Sequence, residues 1–469
     1  MSEMMNTEKK TVLVTGATGF VGRPLLVELL KKGYQVKATS RNIEKAKKVF
    51  MLPVEWIKWD PNNETLPSKA INGTDHVVHL LGESVSQKWS SEVKERLIQS
   101  REQSGLNILK AFQGQESHRL KSFISASAIG IYGNRKDELL TEKSAVGDGF
   151  LVDVCEKWES TADKLAPFSD RIVKLRIGVV LGNRGGALEK MVTPFKLGGG
   201  GPIGNGSAYM SWIHIDDLVS LIMHSIEKDS INGVYNATAP EAVKNKEFTQ
   251  SLSNALGVPA ILPAPELMLK LVFGEMSQIM TNSVRCSAEK IMQTGFQFKF
   301  SKIDEAMEHL FVHGKHKGAE RYKVSQWLPV SKDKAFAFFS KAENLESITP
   351  DWLKFKIVYK SSENIEKGTV LKYKLKLKGI PISWVTEIMD WTPSDSFVDN
   401  QNKGPYALWY HSHNFTEMAG GTLIEDEILY KAPFPVIGEI ANKIMISKDV
   451  ENIFKHRAKV IERVLLSNN

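Results

Sequence analysis

The sequence predicts an α/β protein with a doubly wound parallel sheet, followed by a separate α+β domain in which an antiparallel sheet folds against a helix. Three observations lead to this prediction. A glycine-rich turn joins an apolar strand to an amphipathic helix near the start of the chain. Short apolar strands then alternate with helical segments through the first half, which is typical of parallel sheets. Later strands alternate apolar and charged residues and precede a long amphipathic helix.

The size and composition of the chain limit the classes of function. Its 469 residues are enough for two or three domains, and the 42% hydrophobic content suits a globular protein. Two cysteines provide no disulfide framework and the N-terminus lacks an apolar signal-peptide core, so we expect a cytoplasmic location. The 61 Lys and Arg are scattered among 54 acidic residues, without a basic stripe, so we expect no nucleic-acid binding. No apolar run approaches the ~20 residues that cross a bilayer.

The first predicted strand and helix enclose the motif Gly-x-x-Gly-x-x-Gly. Gly16 permits the tight turn, Gly19 lets the backbone approach a pyrophosphate, and Gly22 lets the helix pack on the sheet. N–H groups at the start of the helix, predicted over residues 24–32, then face the phosphates. The apolar strand before the motif and the helix after it indicate a dinucleotide site rather than a plain glycine turn. The cofactor-binding residues predicted in this segment are Gly16, Thr18, Gly19, Phe20, Val21 and Gly22.

The end of the next predicted strand, residues 34–40, decides between NAD and NADP. A carboxylate at this point would accept hydrogen bonds from the adenosine ribose of NAD. The sequence has Ser40 and Arg41 here and no acidic residue. The Arg41 guanidinium can form a charge-assisted pair with the 2'-phosphate of NADP. We therefore predict NADP, with Ser40 and Arg41 among its binding residues; a solvated surface arginine is the alternative.

The rest of the first half completes this domain. Further strands are predicted at residues 53–59, 75–81, 122–127 and 172–181. The glycine-rich stretch 182–206 is predicted to be a loop that shapes a ligand cleft, or else a flexible connection. A mixed region, residues 235–305, is predicted to cap that cleft, so the cofactor-binding domain covers residues 1–305.

A second domain, residues 321–469, is predicted after a polar linker at residues 306–320. Its predicted strands are 322–328, 369–378, 384–390, 407–415 and 421–430, with a helix at 332–340. Segment 369–378 alternates apolar residues with lysines, which indicates one buried face and one exposed face. The closing helix places Val450, Phe454 and Ile461 on one face. This pattern indicates an antiparallel sheet folded against a C-terminal helix.

Two groups of residues could suggest a metal site. His214 precedes Asp216 and Asp217, but adjacent acids that open a helix more commonly act as a cap and as partners of the helix dipole. His411 and His413 share one face of a strand, yet a third ligand is not evident. We predict no metal, and we expect the two strand histidines to hydrogen-bond a ligand or a neighbouring strand.

Several further motifs accompany the glycine loop. They are Leu81-Gly82-Glu83, Trp89, Ser100-Arg101, residues 125–133, residues 175–182, Gly185-Gly186, residues 211–217 and Ala239-Pro240. On these motifs, residues 10–305 resemble the extended short-chain dehydrogenase/reductase superfamily, and more narrowly its atypical branch of predicted nucleoside-diphosphate-sugar epimerases. The resemblance implies a Rossmann-type fold with NADP as its cofactor, and it adds Leu81, Gly82 and Glu83 to the cofactor-binding residues.

The chemistry of that superfamily uses a tyrosine, lowered in pKa by a lysine four residues later, to move a proton. Here Leu151 and Cys155 occupy those two positions, and neither can do this. By resemblance, Ser127 or Ser125 polarises a substrate carbonyl, and Ser127 is the favoured candidate. Tyr132 is the predicted substitute proton donor, with structural packing as the alternative for all three hydroxyls. No histidine lies near Cys155 in sequence, so we expect a buried residue rather than a nucleophile.

The second domain carries its own motifs, at residues 325–329, 348–353, 379–384, 404–406, 409–413 and 420–422. On these, residues 321–469 resemble the START-like, polyketide-cyclase and lipid-transport (SRPBCC) superfamily. The resemblance implies a helix-grip fold around an apolar cavity that takes a hydrophobic ligand. Tryptophans of this domain either line that cavity or pack the core; they are Trp327, Trp352, Trp384, Trp391 and Trp409.

These features predict an NADP(H)-dependent oxidoreductase or epimerase-like enzyme acting on a small molecule, with an appended domain that binds an apolar ligand. The alternative is a non-catalytic NADP(H)-binding sensor or carrier that regulates the START-like module, and the missing tyrosine-lysine pair keeps it open. A lipid-binding protein that uses its Rossmann half only as a scaffold is disfavoured by the intact glycine loop. Turnover of the nicotinamide cofactor would separate the enzyme from the sensor.

Overall fold

The computed structural model describes residues 9–115, 118–182, 185–311, 319–377, 379–432 and 446–466. It divides into two compact units. The first comprises Met1–Val49 and Val54–Leu310, and the second comprises Phe50–Pro53 and Phe311–Asn469. The first unit contains a parallel sheet with flanking helices and the second an antiparallel sheet, which confirms the predicted fold class.

The first unit has thirteen strands among its described residues. They are β1 (Thr11–Thr15), β2 (Gln35–Ser40), β3 (Glu55–Lys58), β4 (His76–His79), β5 (Ser122–Ala128), β6 (Leu139–Leu140), β7 (Ile172–Ile177), β8 (Val179–Leu181), β9 (Tyr209–Met210), β10 (Trp212–His214), β11 (Gly233–Ala237), β12 (Val243–Lys244) and β13 (Arg285–Cys286). Seven of them form one sheet in the order β3-β2-β1-β4-β5-β7-β11, with every neighbouring pair parallel. The strand order reverses between β1 and β4, and ligands of such sheets bind beyond the carboxyl ends of the strands at this point.

Helices connect the strands of this sheet. They are α1 (Gly22–Lys31), α2 (Ile43–Phe50), α3 (Ser68–Ile71), α4 (Ser91–Gln113), α5 (Phe150–Asp163), α6 (Gly186–Lys196), α7 (Ile215–Glu227), α8 (Asn245–Leu256), α9 (Glu266–Phe273), α10 (Gln278–Thr281), α11 (Glu289–Met292) and α12 (Ile303–Phe311). Leu25 and Leu29, one helical turn apart, are fully buried on the inner face of α1. Ser90 caps α4 by accepting a hydrogen bond from the backbone N–H of Val93. These local features fix where α1 and α4 begin, next to the carboxyl edge of the sheet.

The structure differs from the expected boundaries of the first unit in four places. The segment predicted as one strand, 172–181, is two strands, because the chain leaves the main sheet at Gly178 and β8 pairs with β10 instead. Part of the stretch 182–206 that we expected to be loop forms α6. Tyr235, the predicted start of the capping region, lies within β11 of the main sheet. Helix α12 extends to Phe311, and the predicted linker residues 312–318 lie outside the described part of the chain.

The described residues of the second unit form seven strands and three helices. The strands are β14 (Glu320–Leu328), β15 (Lys356–Lys360), β16 (Val370–Leu377), β17 (Ile380–Thr392), β18 (Ser396–Lys403), β19 (Leu408–Met418) and β20 (Gly421–Lys431). They form one sheet in the order β14-β20-β19-β18-β17-β16-β15, in which every neighbouring pair is antiparallel. Its helices are α13 (Lys332–Phe339), α14 (Ala342–Ile348) and α15 (Ser447–Leu466). Phe336 of α13, Phe415 of β19 and Ile461 of α15 belong to one buried cluster, so helices pack on the sheet as predicted.

Two strands of this sheet were not predicted from the sequence. They are β15 and β18, and the sequence of β18, Ser396–Lys403, has only two apolar residues. Strand β17 is also longer than its predicted segment, since it runs from Ile380 to Thr392. Within the described residues of both units, none of the helices is long and apolar enough to cross a membrane.

Candidate cofactor site and ligand cavity

The glycine loop connects β1 to α1 at the switch point of the parallel sheet. Gly16 has a φ of 74°, and a side chain there would lie 2.8 Å from the carbonyl carbon of Leu80. At Gly22, a Cβ would lie 2.6 Å from the carbonyl oxygens of Gly16 and Ala17. The positive φ of Gly16 fits the predicted tight turn. Gly22 was expected to let the helix pack on the sheet, but a side chain there would instead collide with the backbone of the glycine loop. No side-chain hydrogen bond caps α1 among the described residues, and the N–H groups of Arg23 and Leu25 donate to the carbonyl oxygens of Gly19 and Val21.

The predicted residues Thr18, Gly19, Phe20 and Val21 continue this loop. Thr18 and Gly19 are exposed, as residues that contact phosphates have to be. The ring of Phe20 instead lies against the segment after β8: a Cβ at Gly182 would come within 2.6 Å of it. Gly185 and Gly186 approach the same ring closely. The glycine-rich segment thus supports the cofactor loop through Phe20.

The turn after β4 lies beside the glycine loop and is held by a buried arginine. Arg101 of α4 is 6% exposed, and its guanidinium donates to the carbonyl oxygens of Glu83 at 3.1 Å and Leu97 at 2.9 Å. The Ser100 hydroxyl accepts a hydrogen bond from the Glu83 N–H at 3.1 Å. A Cβ at Gly82 would lie 3.0 Å from the Arg101 guanidinium. Ser100 and Arg101, which carried part of the family resemblance, therefore fix the position of the turn at Leu81, Gly82 and Glu83.

A buried histidine lies below the glycine loop. Nδ1 of His79, at the end of β4, is 2.7 Å from the Thr15 hydroxyl at the end of β1. Its Nε2 is 3.3 Å from the Ser104 hydroxyl. Burial lowers the pKa of His79 to about 4, so the ring is neutral at pH 7. The floor of the loop is therefore polar but uncharged.

An exposed arginine and a capped helix N-terminus lie together at the end of β2. Arg41 is exposed directly after the last residue of β2. The Asn42 side chain accepts a hydrogen bond from the Lys45 N–H at 2.9 Å, which caps α2. The Ser40 hydroxyl accepts from the Asn42 N–H at 3.1 Å, which makes the turn compact. A guanidinium next to a helix N-terminus combines two sources of positive potential for a phosphate.

A buried polar network occupies the space behind the end of β5. The Ser127 hydroxyl donates to a carboxylate oxygen of Glu159 at 2.7 Å, and Glu159 is paired with Arg176 at 2.8 Å. The Arg176 guanidinium also donates to the Tyr132 hydroxyl at 2.9 Å, and that hydroxyl donates to Asn236 at 2.7 Å. Glu159 and Arg176 are 7% and 6% exposed, and Ser127, Tyr132 and Asn236 are buried as well, so the whole network is buried. Sequence reasoning assigned no role to Glu159, Arg176 or Asn236, because their partners come from distant elements.

The network bears on the predicted catalytic residues. Ser127 and Tyr132 are 2% and 0% exposed, and both hydroxyls are occupied by protein partners. Burial raises the pKa of the Tyr132 hydroxyl to about 12. Ser125 is also buried, and its hydroxyl donates to the carbonyl oxygen of Ala126 at 3.1 Å. The geometry supports a structural role for Tyr132 and Ser125, while Ser127 couples the end of β5 to a carboxylate.

The positions of the missing tyrosine-lysine pair lie on α5. A Cβ at Gly130 would lie 3.4 Å from Leu151 and 3.9 Å from Cys155, so both side chains face the turn after β5. The Cys155 thiol donates to the carbonyl oxygen of Ala128 at 3.6 Å. Burial raises the pKa of Cys155 to about 12, so it stays a thiol, as expected for a buried cysteine.

The residues at the start of α7 have different roles from those expected. His214, rather than an acid, caps the helix, because its Nδ1 accepts a hydrogen bond from the Asp216 N–H. Asp217 is buried and accepts hydrogen bonds from the backbone N–H groups of Lys299 and Phe300 at 2.7 and 3.0 Å. The expectation of an acidic cap is wrong, since Asp217 instead holds the segment that leads into α12.

The second unit contains a cavity of about 150 Å³ on one face of its sheet. Strands β16 to β19 and the helices α13, α14 and α15 contribute to its wall. Most of the lining is apolar or aromatic, including Leu371 and Tyr373. Trp384 and Trp409 also line it, whereas Trp391 packs between two core clusters and Trp352 is 58% exposed. Trp327 donates to the carbonyl oxygen of Met418. The five tryptophans are thus divided between the cavity and other positions.

A cluster of charged side chains forms one part of the cavity wall. His411 and His413 of β19 lie between Asp399 of β18 and Asp426 of β20, as cross-strand neighbours on one face. Nitrogen atoms of His411 are 3.2 and 3.3 Å from oxygens of Asp399 and Asp426, and the matching distances for His413 are 3.3 and 2.6 Å. This acid–histidine cluster supplies the neighbouring-strand partners that we expected for the histidines. One ligand atom each of Asp399, His411 and His413 lies close enough to the others to reach a shared metal ion.

Burial and ion pairing shift the pKa values of Asp399, Asp426 and His411 in opposite directions. Burial alone would raise the pKa of Asp399 and of Asp426, but the histidines outweigh it and hold both pKa values far below the usual range. Burial likewise would lower the pKa of His411, and the two carboxylates outweigh it, so the pKa is raised. Asp399 and Asp426 were not found from the sequence, because Asp399 lies on the unpredicted strand β18 and neither acid is near the histidines in sequence.

Comparisons with known proteins agree with the geometry of the first unit. A model of the NAD dependent epimerase/dehydratase family matches residues 12–149. A domain of unknown function (DUF1731) matches residues 264–310. Both matches lie almost entirely within the first compact unit, and the first of them includes the glycine loop, Arg41 and the turn after β4.

Relatives that match 63–65% of this chain extend this likeness. The epimerase family protein SDR39U1 homolog, chloroplastic, of Arabidopsis thaliana is 34% identical over 305 residues, which cover 63% of this chain and 85% of that protein. The epimerase family protein YfhF of Bacillus subtilis is 32% identical over 305 residues, or 65% of this chain and 99% of that one. A crystal structure of human SDR39U1 (isoform 2) with NADPH is 30% identical, with a TM-score of 0.56, and the match covers 64% of this chain and 98% of that chain.

Proposed function

The chain belongs to the epimerase family that includes SDR39U1 and YfhF, and on that premise we propose that it is an NADP(H)-dependent oxidoreductase or epimerase-like enzyme acting on a small molecule. Its cofactor-binding domain is residues 1–305 and its ligand-binding domain residues 321–469. The observation that carries the proposal is the cofactor edge of the parallel sheet. There the glycine loop, the Arg101-held turn and Arg41 line up along the carboxyl ends of β1, β4 and β2.

The choice of NADP(H) rests on the end of β2. An exposed arginine follows the strand, and none of Thr39, Ser40, Arg41 and Asn42 is acidic, so no carboxylate competes for the ribose. The predicted cofactor agrees with the NADPH of the human SDR39U1 structure. Cys155 and Cys286 are free thiols, which fits the cytoplasmic location that we propose.

The proton-transfer route of this enzyme would differ from the tyrosine-lysine route of its superfamily. Ser127 is bonded to the buried carboxylate of Glu159, which in turn is paired with Arg176. Ser127 has a single hydroxyl proton, so it would polarise a carbonyl by turning that proton from Glu159 to the carbonyl oxygen. We propose Ser127 as the catalytic hydroxyl and Glu159 as the residue that positions it. Ser125 and Tyr132 then stabilise the surrounding backbone and network.

A non-catalytic NADP(H)-binding sensor remains the second candidate function, and a specific observation favours it. Leu151 and Cys155 fill the positions of the missing pair, and the neighbouring hydroxyls are buried and occupied. Such a protein would bind the cofactor without converting it, and cofactor binding would regulate ligand binding by the second unit. A sensor of this kind has no turnover.

We propose further that residues 321–469 are a START-like module that binds an apolar ligand. The support is the antiparallel sheet with its long closing helix and the cavity between them, lined mainly by apolar side chains. Burial of an apolar ligand in such a cavity is favourable in proportion to the area removed from water.

Two measurements test these proposals. Native mass spectrometry of the purified full chain identifies a retained cofactor and any retained apolar ligand by mass. Purified protein loaded with NADPH is then assayed by nicotinamide absorbance against panels of carbonyl compounds and nucleotide sugars. Oxidation of NADPH or sugar epimerisation with any of them supports the enzyme. Tight NADPH binding with no turnover across both panels would favour the sensor, and failure to bind NADPH would contradict both.

A further inference from the structure

The cavity of the second unit contains a buried positive charge that is paired with no carboxylate of the described residues. Arg457 of α15 lines the cavity and is 8% exposed. Its Nε has no hydrogen-bond acceptor, and its guanidinium forms no salt bridge with any carboxylate in the described part of the chain. Its guanidinium carbon lies 4.9 Å from the centre of the Phe454 ring. A cation–π contact is thus the one favourable electrostatic interaction that the described residues offer it.

The two acids of the acid–histidine cluster, of which Asp399 lines the cavity, are paired with histidines rather than with Arg457. Asp399 and Asp426 each contact nitrogen atoms of both His411 and His413, at distances between 2.6 and 3.3 Å. Those contacts involve one oxygen of each carboxylate, and neither acid forms a salt bridge with Arg457 within the described residues. Arginine stays protonated in proteins, so Arg457 cannot lose its charge in response to burial. A buried, uncompensated guanidinium is unfavourable unless an anion joins it.

A second buried donor lines the same cavity. Nε1 of Trp384, a residue that is 8% exposed, has no acceptor in the structure. Buried polar groups are nearly always hydrogen-bonded, so an unpaired donor in a cavity wall indicates a ligand acceptor. Around these donors, the lining includes Leu345, Leu375 and Ile388, which offer only apolar contacts.

We propose that the cavity binds an amphipathic anion, an apolar molecule with a single carboxylate or a group of equal charge, and that Arg457 pairs with the anionic group. The proposal rests on the apolar-ligand function proposed above for residues 321–469 and names its ligand class. The anionic group supplies the missing counter-charge, and the apolar body fills the remaining wall. A neutral molecule of the same length would leave the guanidinium unpaired.

The test compares two probes of equal chain length, octanoate and 1-octanol, by isothermal titration calorimetry on the full chain at pH 7. We expect the wild-type protein to bind octanoate about tenfold to a hundredfold more tightly than octanol, because a charge-assisted pair forms with octanoate alone. Arg457→Met keeps the length of the side chain and removes its charge. It should abolish the preference for octanoate and leave the affinity for octanol within twofold. The matched control is Arg463→Met, an exposed arginine of the same helix, which should change neither affinity.

The possible outcomes separate this inference from the proposal on which it rests. If wild type binds octanol and octanoate equally, or if Arg457→Met keeps the preference, the anion site is wrong and the apolar cavity function stands. If wild type binds neither probe, both are wrong. Should Arg457→Met fail to fold, as judged by its thermal unfolding, the wild-type ratio still decides. Arg457→Lys, which keeps the charge, is then expected to retain the preference for octanoate.

Discussion

Arg41 is the residue on which the choice of cofactor depends. Its guanidinium is exposed beside the N-terminus of α2, so removing it changes the charge at the phosphate position without disturbing the core. We expect Arg41→Ala to weaken NADPH binding by about 1.5 to 3 kcal/mol and to leave NADH binding unchanged. Calorimetric titration of both cofactors measures this. Lys48→Ala, an exposed lysine of α2, is the control, and an equal loss there would mean that only general positive potential matters.

Ser127 is the hydroxyl that we expect turnover to require. Ser127→Ala should lower the rate of nicotinamide oxidation or reduction at least about tenfold, in the range of a lost general acid–base contact. Cys155→Ser should leave the rate within about twofold, because burial keeps the Cys155 thiol protonated and a serine hydroxyl is a close substitute. Steady-state rates with saturating cofactor provide the measurement. Normal turnover in Ser127→Ala, or its loss in a folded Cys155→Ser protein, would contradict this assignment.

Tyr132 should contribute to stability rather than to chemistry. Tyr132→Phe removes a hydroxyl that is bonded to Arg176 and Asn236 in a fully buried position. We expect the free energy of unfolding to fall by about 1 to 3 kcal/mol, because buried polar partners lose a hydrogen bond. Urea denaturation followed by tryptophan fluorescence measures this change. If Tyr132→Phe kept the urea midpoint of wild type but lost turnover, Tyr132 would be a proton donor rather than a structural residue.

At the level of elements, three neighbouring strands hold the acid–histidine cluster and make the second unit sensitive to pH. The depressed pKa values of Asp399 and Asp426 contribute stability that is present above their unfolded pKa, about 4, and is lost as pH falls below it. The raised pKa of His411 contributes stability that is complete below its unfolded pKa, about 6.5, and is lost as pH rises through the folded value. Both contributions are present together between about pH 4 and pH 6.5.

A variant of this cluster tests that window. Asp426→Asn keeps the shape of the side chain and removes the charge that two imidazoles share. We expect its loss of stability relative to wild type to be largest near pH 5 and to shrink at lower and at higher pH. Urea midpoints measured across the pH range give the comparison. Asp390→Asn, an exposed acid on β17, should show no such maximum. A pH-independent difference would mean that the cluster is neutral throughout.

The elements also show where sequence reasoning succeeds and fails. Strands β1, β4 and β5 were found because buried parallel strands are nearly continuous apolar runs next to glycine turns. Strand β18 was missed because half-exposed antiparallel strands can be mostly polar, and Asp399 was lost with it. Arg176 was visible within the family motif at residues 175–182, whereas Glu159 lies in none of the motifs that carried the resemblance, yet the two residues form a buried pair. Their pairing was not predictable, because it depends on how α5 packs against β7, which sequence patterns do not specify.

At the scale of the whole molecule, the two units have separate sheets and separate buried clusters. We expect residues 321–469 to fold alone, since roughly 150 residues suffice to bury a core. The expressed fragment should unfold cooperatively and enhance the emission of a hydrophobic fluorescent probe that a fatty acid or sterol displaces. The fragment 9–311 is the matched control and should bind NADPH but not the probe. A folded C-terminal fragment without probe binding would make this domain a structural or partner-binding appendage.

The neutral ring of His79 affects how steadily the protein holds its cofactor. With a pKa of about 4, this histidine carries no charge at any pH well above that value, and its contacts with Thr15 and Ser104 stay the same. An ordinary histidine in that position would gain a proton during mild acidification and would add attraction for the pyrophosphate. Because His79 stays neutral, we expect its contribution to the binding of a nicotinamide nucleotide to stay unchanged during mild acidification. Any acid response of the protein would then originate elsewhere in the chain.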